Sequence, residues 1–440
     1  MGAVFPQERG LRVWALGEML IDFTARESGV DVGTARSFEK NPGGAPANVA
    51  VAVVRLGGRA GFVGCVGDDA FGRHLLGVLR KEEVDVRFAQ ALPDAATSLA
   101  FVARRGGEPD YFFVRNPGAD TLLTPAMVDA VDLRRQDIVH LGSNSLAAEP
   151  IRSAVERMLV RVKEAGAALC FDVNLRPAFW ENAEDREGVQ GREGREGRES
   201  ARSLCLHFAR QADVLKVNRD ELAWLTGADS VEDGLVEIAR LNDGVICCTL
   251  GADGVALIAP TYDGGQEVGL EGDWESGRKG DRKNGRVRVL LRVPGFRVQP
   301  VDATGAGDAL IGALLFAIAS GEKGIWNGES GIRFVKNGPS GESGSSGESR
   351  SIGKSGPFEE SRPPGGVDTG EGYVRADARR PFVDEGGWKE RLAHISEEQW
   401  RIFAQFACAA AACNIRERGA IGAMPTRGAV LQLLAASSDK

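Results

Sequence analysis

The sequence contains few residues of the types that build zinc sites and disulfide frameworks. It has four histidines and seven cysteines, and no two cysteines form a C-x-x-C pair. Structural zinc sites usually combine such pairs with closely spaced histidines, so no zinc site is expected. The odd number and scatter of the cysteines favour reduced thiols inside the cell. We therefore expect a cytoplasmic protein without disulfides.

Long apolar runs and an excess of positive charge are also missing. The apolar runs fall short of the length of a membrane-spanning helix. Core-like sequence begins by Val13, which leaves little room for a targeting peptide. The chain carries 54 Lys and Arg against 62 Asp and Glu, a formal net charge of −8. An acidic chain is a poor binder of nucleic acid or acidic membranes, so we expect neither partner.

What the sequence does contain is a repeated alternation of short apolar runs and helical patterns. The runs predict buried strands at 13–16, 61–66, 138–141, 168–171, 214–217 and 245–250. Helical patterns lie between them, for example at 45–56 and 71–79. Repeated strand–helix units predict an α/β fold, with a mainly parallel sheet covered by helices.

Two regions, about 19–40 and 97–117, carry shorter alternating runs instead. Alternation is typical of strands with one buried face, and we predict antiparallel strands that form a small sheet. Such a sheet can act as a lid that closes over a cleft and excludes water. Its outer face would leave edges or apolar surface uncovered, which makes the lid a candidate homodimer interface.

Three stretches are poor in apolar residues, at about 184–201, 262–288 and 321–390. Segments of this composition bury too little apolar surface to offset the entropy of ordering. We predict that they are flexible surface insertions in a single domain spanning residues 11–440. Without them the core has about 320 residues, a reasonable size for a large single domain.

The most informative motif is Val301-Asp302-Ala303-Thr304-Gly305-Ala306-Gly307-Asp308, followed at once by an apolar helical run over 309–319. Glycines let backbone amides converge, and a helix N-terminus adds partial positive charge. This combination binds a phosphate or a developing oxyanion. The carboxylate of Asp308 would only repel a phosphate, so removal of a proton from an attacking hydroxyl fits it best. The dinucleotide fingerprint would need a third glycine where Leu310 stands.

Other candidate residues lie at glycine turns and at the ends of predicted strands. Gly43 to Asn48 opens a helix and suits close approach of a ligand, although a plain helix start explains the pattern equally well. Asp172 to Arg176 follows a buried strand, where ligands of open α/β sheets bind, or forms a solvated loop. Asp22 either accepts hydrogen bonds from substrate hydroxyls or occupies an exposed strand position.

Two further segments permit both a functional and a structural interpretation. Glu221 can hold Mg²⁺ directly or through water. Asn218 followed three residues later by Glu221 is also a capping box, and the pattern alone favours capping. The segment from Thr249 to Gly254 can lie under a nucleotide, and Asp253-Gly254 also predicts a hairpin turn. The two readings of this segment are compatible.

These segments, in this order, resemble the ribokinase-like (PfkB) sugar kinases, and within that family most closely the fructokinases. Residues 43–48 with 64–72 resemble the first family signature, and 302–308 resemble the second. The resemblance implies a ribokinase-like three-layer α/β/α sandwich with a small β-sheet lid. It implies ATP-dependent phosphorylation of D-fructose to fructose 6-phosphate. The alternatives are a kinase for ribose or 2-keto-3-deoxygluconate, and a non-catalytic scaffold. A scaffold is free to lose Asp308 and its glycines, which this chain keeps.

The resemblance also implies a role for individual residues. Asp308 would be the base, and the anion hole would be formed by the amides of Gly305, Ala306 and Gly307. The sugar would be held by Asp22, Gly44, Asn48 and Arg176, with Arg115 reaching in from the lid. The ATP side would be formed by Asn174, Asn218, Thr249, Gly251, Gly254, Thr304 and Asn414. Mg²⁺ would lie near Glu221, and a monovalent cation such as K⁺ near Asp302.

Overall fold

The structure, a computed structural model, describes residues 11–105, 108–115, 117–180, 192–262, 278–283, 286–326 and 387–438. All of these residues belong to one compact unit. Residues 184–191 of the first predicted insertion (184–201), and most of the second and third (262–288 and 321–390), lie outside the described residues. The strands in chain order are β1 (Val13–Leu16), β2 (Leu20–Ala25), β3 (Phe38–Gly43), β4 (Ala60–Gly67), β5 (Asp85–Leu92), β6 (Leu99–Arg105), β7 (Glu108–Val114), β8 (Ile138–Gly142), β9 (Ala168–Asp172), β10 (Val214–Asn218), β11 (Val245–Thr249), β12 (Val255–Tyr262), β13 (Arg278–Lys283) and β14 (Arg286–Val293).

The helices cover the large sheet and supply most of the remaining core. In chain order they are α1 (Ala45–Arg55), α2 (Ala70–Lys81), α3 (Pro125–Asp129), α4 (Ile151–Ala165), α5 (Pro177–Trp180), α6 (Arg192–Ala209), α7 (Arg219–Thr226), α8 (Val231–Leu241), α9 (Ala306–Trp326), α10 (Trp388–Ala393), α11 (Glu397–Asn414) and α12 (Arg427–Ser438).

The large sheet confirms the predicted α/β fold. Its order is β13-β14-β12-β11-β10-β9-β8-β1-β4-β5. The seven strands from β11 to β5 in this order run parallel, while β12, β14 and β13 add an antiparallel edge. Strands β1, β4, β8 and β9 are buried along their whole length, as expected for a sheet covered on both faces. The carboxyl ends of the parallel strands therefore meet along one edge.

The second sheet is the predicted lid, with order β3-β2-β6-β7. Its outer pairs are antiparallel, but the central pair β2–β6 is parallel, so the expectation of purely antiparallel strands is wrong there. The reason is topological: β2 follows β1 and β6 follows β5, and these parallel strands deliver both segments to the lid from the same edge. The rings of Phe23 and Phe101 stack at 5.1 Å across this pair.

Helix α9 lies in the core, between α1 and α11. Gly312 permits the close approach to α1, because a Cβ there would lie 2.7 Å from that of Ala52. The helix extends the predicted run at 309–319 and has a break at Gly321. Its 21 residues are long and apolar enough to cross a membrane by length and composition. The helix is nonetheless mostly buried inside the domain. A buried core helix of a globular domain can meet the same criteria of length and composition.

Parts of the predicted insertions carry regular structure. Helix α6 begins at Arg192, inside the segment predicted to be flexible. Arg and Glu favour helix, and the helix continues into the buried side chains of Cys205 and Phe208. Strand β13 lies inside the second segment and pairs with β14. In both cases pairing or packing with the core outweighs local composition.

Candidate active site

Residues 302–308 form the turn before α9 and the first residues of that helix. The sequence predicts an anion hole here, and we call this segment the anion-hole turn. Gly305 adopts a φ of 83°, and a Cβ on it would lie 3.0 Å from Met424 Cε and 3.1 Å from Ala420. Only glycine suits this conformation and this space. Gly307 and Asp308 lie in the first helical turn, where amides have no carbonyl four residues earlier in the helix. The amide of Ala306 donates to the Ala303 carbonyl at 3.2 Å, so it is partly engaged within the turn.

Asp302 anchors this turn from outside the helix. Its Oδ1 accepts hydrogen bonds from the amide and the hydroxyl of Thr304 at 3.0 and 2.7 Å. Its Oδ2 accepts one from the Gly419 amide at 3.0 Å. Burial opposes ionisation, but these hydrogen bonds hold the pKa of Asp302 below its usual range. An ionised carboxylate at this position also suits a monovalent cation.

Asp308 is buried, with 8% of its surface exposed. Its Oδ2 accepts a hydrogen bond from Asn48 Nδ2 at 2.7 Å. Burial raises the pKa of Asp308 to about 6, although the Asn48 hydrogen bond acts in the opposite direction. A general base works best when its pKa lies near the operating pH. The carboxylate is therefore ionised at neutral pH and still basic enough to accept a proton.

The first turn of α1 and strand β2 complete the wall opposite Asp308. Gly44 has a φ of 110°, and a Cβ there would lie 2.4 Å from the Glu18 carbonyl oxygen. This close approach sets the start of α1 and thereby the position of Asn48. Burial raises the pKa of Asp22 to about 7, with Arg176 opposing the shift and Asp308 adding to it. Asp22 is thus poised to donate or accept hydrogen bonds.

These groups line one cleft of about 540 Å³ between the lid and the carboxyl edge of the large sheet. Its size is in the range of small-molecule sites. Ten of the residues predicted from the sequence line it: Asp22, Gly44, Asn48, Asn174, Arg176, Asp302, Thr304, Gly305, Gly307 and Asp308. The lid contributes aromatic and basic side chains, among them Phe113 and Arg104. Segments far apart in the chain therefore converge on one site.

Arg115 does not belong to the lining of this cleft, in contrast to its predicted reach toward the sugar. Its Nε donates to Asp120 Oδ2 at 2.8 Å. Its guanidinium lies 4.3 Å from the ring centre of Phe179, which does line the cleft. A buried ion pair with Asp120 satisfies the guanidinium more completely than an open cleft. In this structure Arg115 therefore contributes to the site through Phe179.

Of the residues predicted for the ATP side, Asn174 and Thr304 line the cleft, whereas Asn218, Thr249, Gly251, Gly254 and Asn414 are not part of its lining. Asn218 and Thr249 are register partners at the ends of β10 and β11. Gly251 and Gly254 have φ values of 65° and 92° in the turn that joins β11 to β12. The predicted hairpin there is confirmed, because β11 and β12 pair antiparallel. Asn414 ends α11 and is fully buried.

The end of α11 is tied directly to the anion-hole turn. The carbonyl of Ile415, next to Asn414, accepts hydrogen bonds from the amides of Val301 and Asp302 at 2.7 and 3.2 Å. The Asn414 segment therefore lies against the segment that leads into α9.

Glu221 forms the capping box that its spacing predicts. Its Oε2 accepts from the Asn218 amide at 2.8 Å, and Asn218 Oδ1 accepts from the Glu221 amide at 2.8 Å. Its Oε1 accepts from the Leu175 amide at 3.0 Å, which joins α7 to the segment after β9. Among the described residues no group of three or more His, Cys, Asp and Glu side chains can hold a metal ion.

Lys216 is a site residue that the sequence analysis missed. It lines the cleft, yet its side chain is only 6% exposed, and its Nζ lies 2.9 Å from Asp172 Oδ1. A Cβ on Gly307 would lie 3.2 Å from this Nζ, so the ammonium group is next to the anion hole. Burial disfavours its charge, but the carboxylates of Asp172 and Glu221 raise the pKa of Lys216 and keep it protonated. Its one sequence signal is a lysine inside a buried apolar strand.

The chain is similar in sequence to known carbohydrate kinases. Residues 11–325 match the model of the pfkB family of carbohydrate kinases. Fructokinase-1 of Oryza sativa subsp. japonica is 43% identical over 305 residues, which cover 69% of this chain and 81% of the relative. Fructokinase-1 of Zea mays is 40% identical over 326 residues, covering 74% and 88%.

The chain is also similar to solved structures of fructokinases. A fructokinase double mutant from Vibrio cholerae O395, in a form with fructose, ADP and potassium bound, has a TM-score of 0.64 at 25% identity, with 96% of this chain and 98% of that chain covered. A fructokinase from Xylella fastidiosa with bound ATP also has a TM-score of 0.64 at 25% identity, covering 97% and 99%. Because the family model matches most of the chain and the relatives are about 40% identical, the chain belongs to the pfkB family of carbohydrate kinases and is a sugar kinase.

Proposed function

We propose that this sugar kinase transfers the γ-phosphoryl group of ATP to the 6-hydroxyl of D-fructose, giving fructose 6-phosphate and ADP. The observation that carries the proposal is the pairing of Asp308 with Asn48 beside an amide-rich turn. The Asp308–Asn48 pair would supply the base that acts on the sugar hydroxyl. The turn would supply the anion hole for the phosphoryl group that this hydroxyl attacks. Fructokinase relatives that are 37–43% identical favour fructose as the sugar.

In the proposed reaction the sugar lies between Asp22, Asn48 and Asp308, and its 6-hydroxyl faces the anion hole. Asp308 takes the hydroxyl proton as that oxygen attacks the γ-phosphorus and the bond to the ADP oxygen breaks. The amides of Gly305 and Gly307 and the ammonium of Lys216 offset negative charge on the transferred group. Phosphoryl transfer depends mainly on such positioning and electrostatics.

Two cations are proposed to assist. Mg²⁺ arrives with nucleotide phosphates, keeps several waters and needs only one or two carboxylates, so a dedicated cage is not required. Glu221 fits a contact through water, because each of its oxygens accepts one backbone amide and retains a lone pair. Mg²⁺ would neutralise phosphate charge. Asp302 fits a monovalent cation such as K⁺, which would stabilise the anion-hole turn.

The test is a panel of sugars with purified full-length protein, ATP and Mg²⁺, with ADP release measured for fructose, glucose, ribose and 2-keto-3-deoxygluconate. Fructose should give the highest kcat/KM, and ³¹P–¹H correlation of the product should place the phosphate on C6. The Asp308→Ala variant is the matched control for contaminating kinases. A higher kcat/KM for any other sugar, or phosphate on another carbon, would overturn the proposal.

A further inference from the structure

One part of the cleft wall has no role in the proposed transfer. Glu18 follows β1 and Asn144 follows β8, and these strands are neighbours in the sheet. The two side chains therefore meet at its carboxyl edge, where Asn144 Nδ2 donates to Glu18 Oε1 at 3.4 Å. Both residues line the cleft, and each is only 4% exposed. Neither belongs to a motif that the sequence analysis singled out.

The rest of this pair is unsatisfied. Among the described residues, Glu18 Oε2 and Asn144 Oδ1 have no hydrogen-bond partner. Buried polar atoms in native proteins are nearly always hydrogen-bonded, and the exceptions often belong to binding sites. Asn144 Oδ1 is an acceptor, and Glu18 Oε2 is one when the carboxyl group is ionised, so a partner that brings hydrogens satisfies both atoms. A sugar hydroxyl in the cleft meets that requirement.

The surrounding charges decide which chemical class of sugar fits. Asp22 adds a second carboxyl group, and the negative charge of Glu18 contributes to the raised pKa of Asp22. Burial raises the pKa of Glu18, and Arg115, which is ion-paired with Asp120 at 2.6 Å, opposes that shift from outside the cleft. A substrate carboxylate at this wall would face the carboxyl groups of Glu18 and Asp22, with Arg176 as the cation that acts on Asp22, whereas an uncharged hydroxyl would find acceptors.

The basic side chains of the cleft lie elsewhere. Arg104, Arg176 and Arg418 line it at exposed positions. Lys216 is held by Asp172 next to Gly307. Arg176 also acts on Asp22, so the Glu18–Asn144 wall combines two carboxyl groups, Glu18 and Asp22, with this one exposed cation.

We propose that Glu18 and Asn144 form a subsite that accepts hydrogen bonds from a sugar hydroxyl remote from the phosphorylated carbon. The pair makes the cleft selective for uncharged polyhydroxylated sugars over sugar acids. The inference rests on the proposed function, because it requires a sugar bound with its reacting hydroxyl at Asp308. It adds a determinant of specificity to a site whose chemistry is performed by other residues.

The test compares wild type, Glu18→Ala, Glu18→Gln and Asn144→Ala on fructose and on three analogues that each lack one hydroxyl, at C1, C3 or C4. Losing a hydrogen bond to Glu18 should lower kcat/KM for fructose by at least about fivefold in Glu18→Ala. For the analogue that lacks the recognised hydroxyl, the same variant should lose no more than about twofold. If Glu18 had a purely structural role, its replacement would lower kcat/KM equally for all four sugars. That result would overturn the subsite.

Controls separate misfolding from lost recognition. Ser143→Ala changes a buried neighbour of Asn144 outside the cleft lining. It should leave kcat/KM unchanged for every sugar. Glu18→Gln keeps the shape of the side chain and retains one acceptor, so it should lose less on fructose than Glu18→Ala. If both Glu18 variants melt far below wild type, Asn144→Ala with the same four sugars decides the question.

The outcomes also separate this inference from the proposed function. If wild type uses fructose but the losses do not depend on any hydroxyl, the subsite is wrong and the fructokinase proposal stands. If ribose is the preferred sugar, the fructokinase proposal fails, and the same comparison with deoxyriboses still decides the subsite. Preference for 2-keto-3-deoxygluconate overturns both, because an acidic wall cannot favour a sugar acid.

Discussion

Replacing Lys216 by methionine would test the anion hole directly. Methionine keeps most of the apolar stem and removes the charge. In the structure the Lys216 Nζ pairs with Asp172 at 2.9 Å and adjoins Gly307. If the ammonium donates to the transferred phosphoryl group, its loss removes a charge-assisted hydrogen bond worth about 1.5–3 kcal/mol. At 1.36 kcal/mol per tenfold change, kcat/KM should fall about 10- to 150-fold.

The same substitution also affects stability. Asp172, with its side chain 2% exposed, would be left buried without its cation. Removing one partner of a buried pair typically costs about 3–5 kcal/mol. A double variant, Lys216→Met with Asp172→Asn, removes both charges and should melt at a higher temperature than the single variant. The double variant should nevertheless keep the loss in kcat/KM, because the phosphoryl group still lacks the ammonium.

The pH dependence gives a reading that instability alone would not produce. Asp308 must be ionised to accept a proton, and its pKa is about 6, so wild-type kcat should fall as the pH drops through that value. The charge of Lys216 lowers the pKa of Asp308, and that of Asp172 raises it. Lys216→Met should therefore move the acid limb to higher pH. The double variant should move it less, since both opposing charges are gone.

The assay is steady-state kinetics across the acid limb, combined with thermal melting and calorimetric binding of ATP. Lys389→Met is a matched control, because it removes an exposed lysine whose partner is Asp243 at 3.6 Å. Its kinetics should equal those of wild type. The reasoning is refuted if a folded double variant keeps more than about half of the wild-type kcat/KM, given the range expected above. An unmoved acid limb in the single variant would refute the electrostatic part.

Three shorter predictions concern the base, the cation and the lid. Asp308→Ala should keep ATP binding and lower kcat by about 10²–10⁴-fold; more than about a tenth of kcat remaining would contradict its role as base. Asp302→Ala should abolish stimulation by K⁺, measured as initial rates in KCl against choline chloride, and equal stimulation would contradict the proposed site. Phe112, 53% exposed on β7, should support a homodimer through the lid. Phe112→Ser should yield a monomer by ultracentrifugation, whereas a wild type monomeric at every concentration would rule the dimer out.

Most of the fold could be predicted because its signals are local. Strand β1 was predicted with its observed bounds, since four consecutive apolar residues mark a buried strand between polar flanks. Helix α1 was predicted to within one residue, because Pro46 marks its first turn and Gly57 follows its end. The anion-hole turn is equally local: its glycines and Asp308 belong to one short segment, so their proximity follows from the chain itself.

The features that were missed depend on partners far away in the sequence. Lys216 is a charged residue in a mostly apolar strand, and its partner Asp172 lies on the neighbouring strand β9. Arg115 was predicted to face the sugar, but the choice between cleft and Asp120 is set by the fold of the lid. Glu18 and Asn144 meet only because β1 and β8 are neighbours in the sheet. Sequence periodicity indicates where strands are, and it carries little information about which side chains form ion pairs or hydrogen bonds with each other.

Gly307→Ala offers a way to separate function from folding at the anion hole. Gly307 has an ordinary helical backbone in the first turn of α9, so the helix propensity of alanine, worth up to about 1 kcal/mol, offsets the crowding of the flexible Lys216 side chain. The new methyl group would lie 3.2 Å from Lys216 Nζ, in the space that the phosphoryl group must approach. We therefore expect kcat/KM to fall at least tenfold at a melting temperature close to that of wild type, as for losing one hydrogen bond to a charged group.

Gly305→Ala is the matched comparison, since it strains a φ of 83° and crowds Ala420 and Met424 at 3.0–3.1 Å. It should lower both activity and melting temperature, because the strain is in the fold itself. A Gly307→Ala protein with full activity would show that its backbone does not face the phosphate. Gly305→Ala without a change in stability would show that the turn tolerates a side chain. Only the combination of a stable, inactive Gly307→Ala and an unstable Gly305→Ala fits an anion hole built on both glycines, one for access and one for shape.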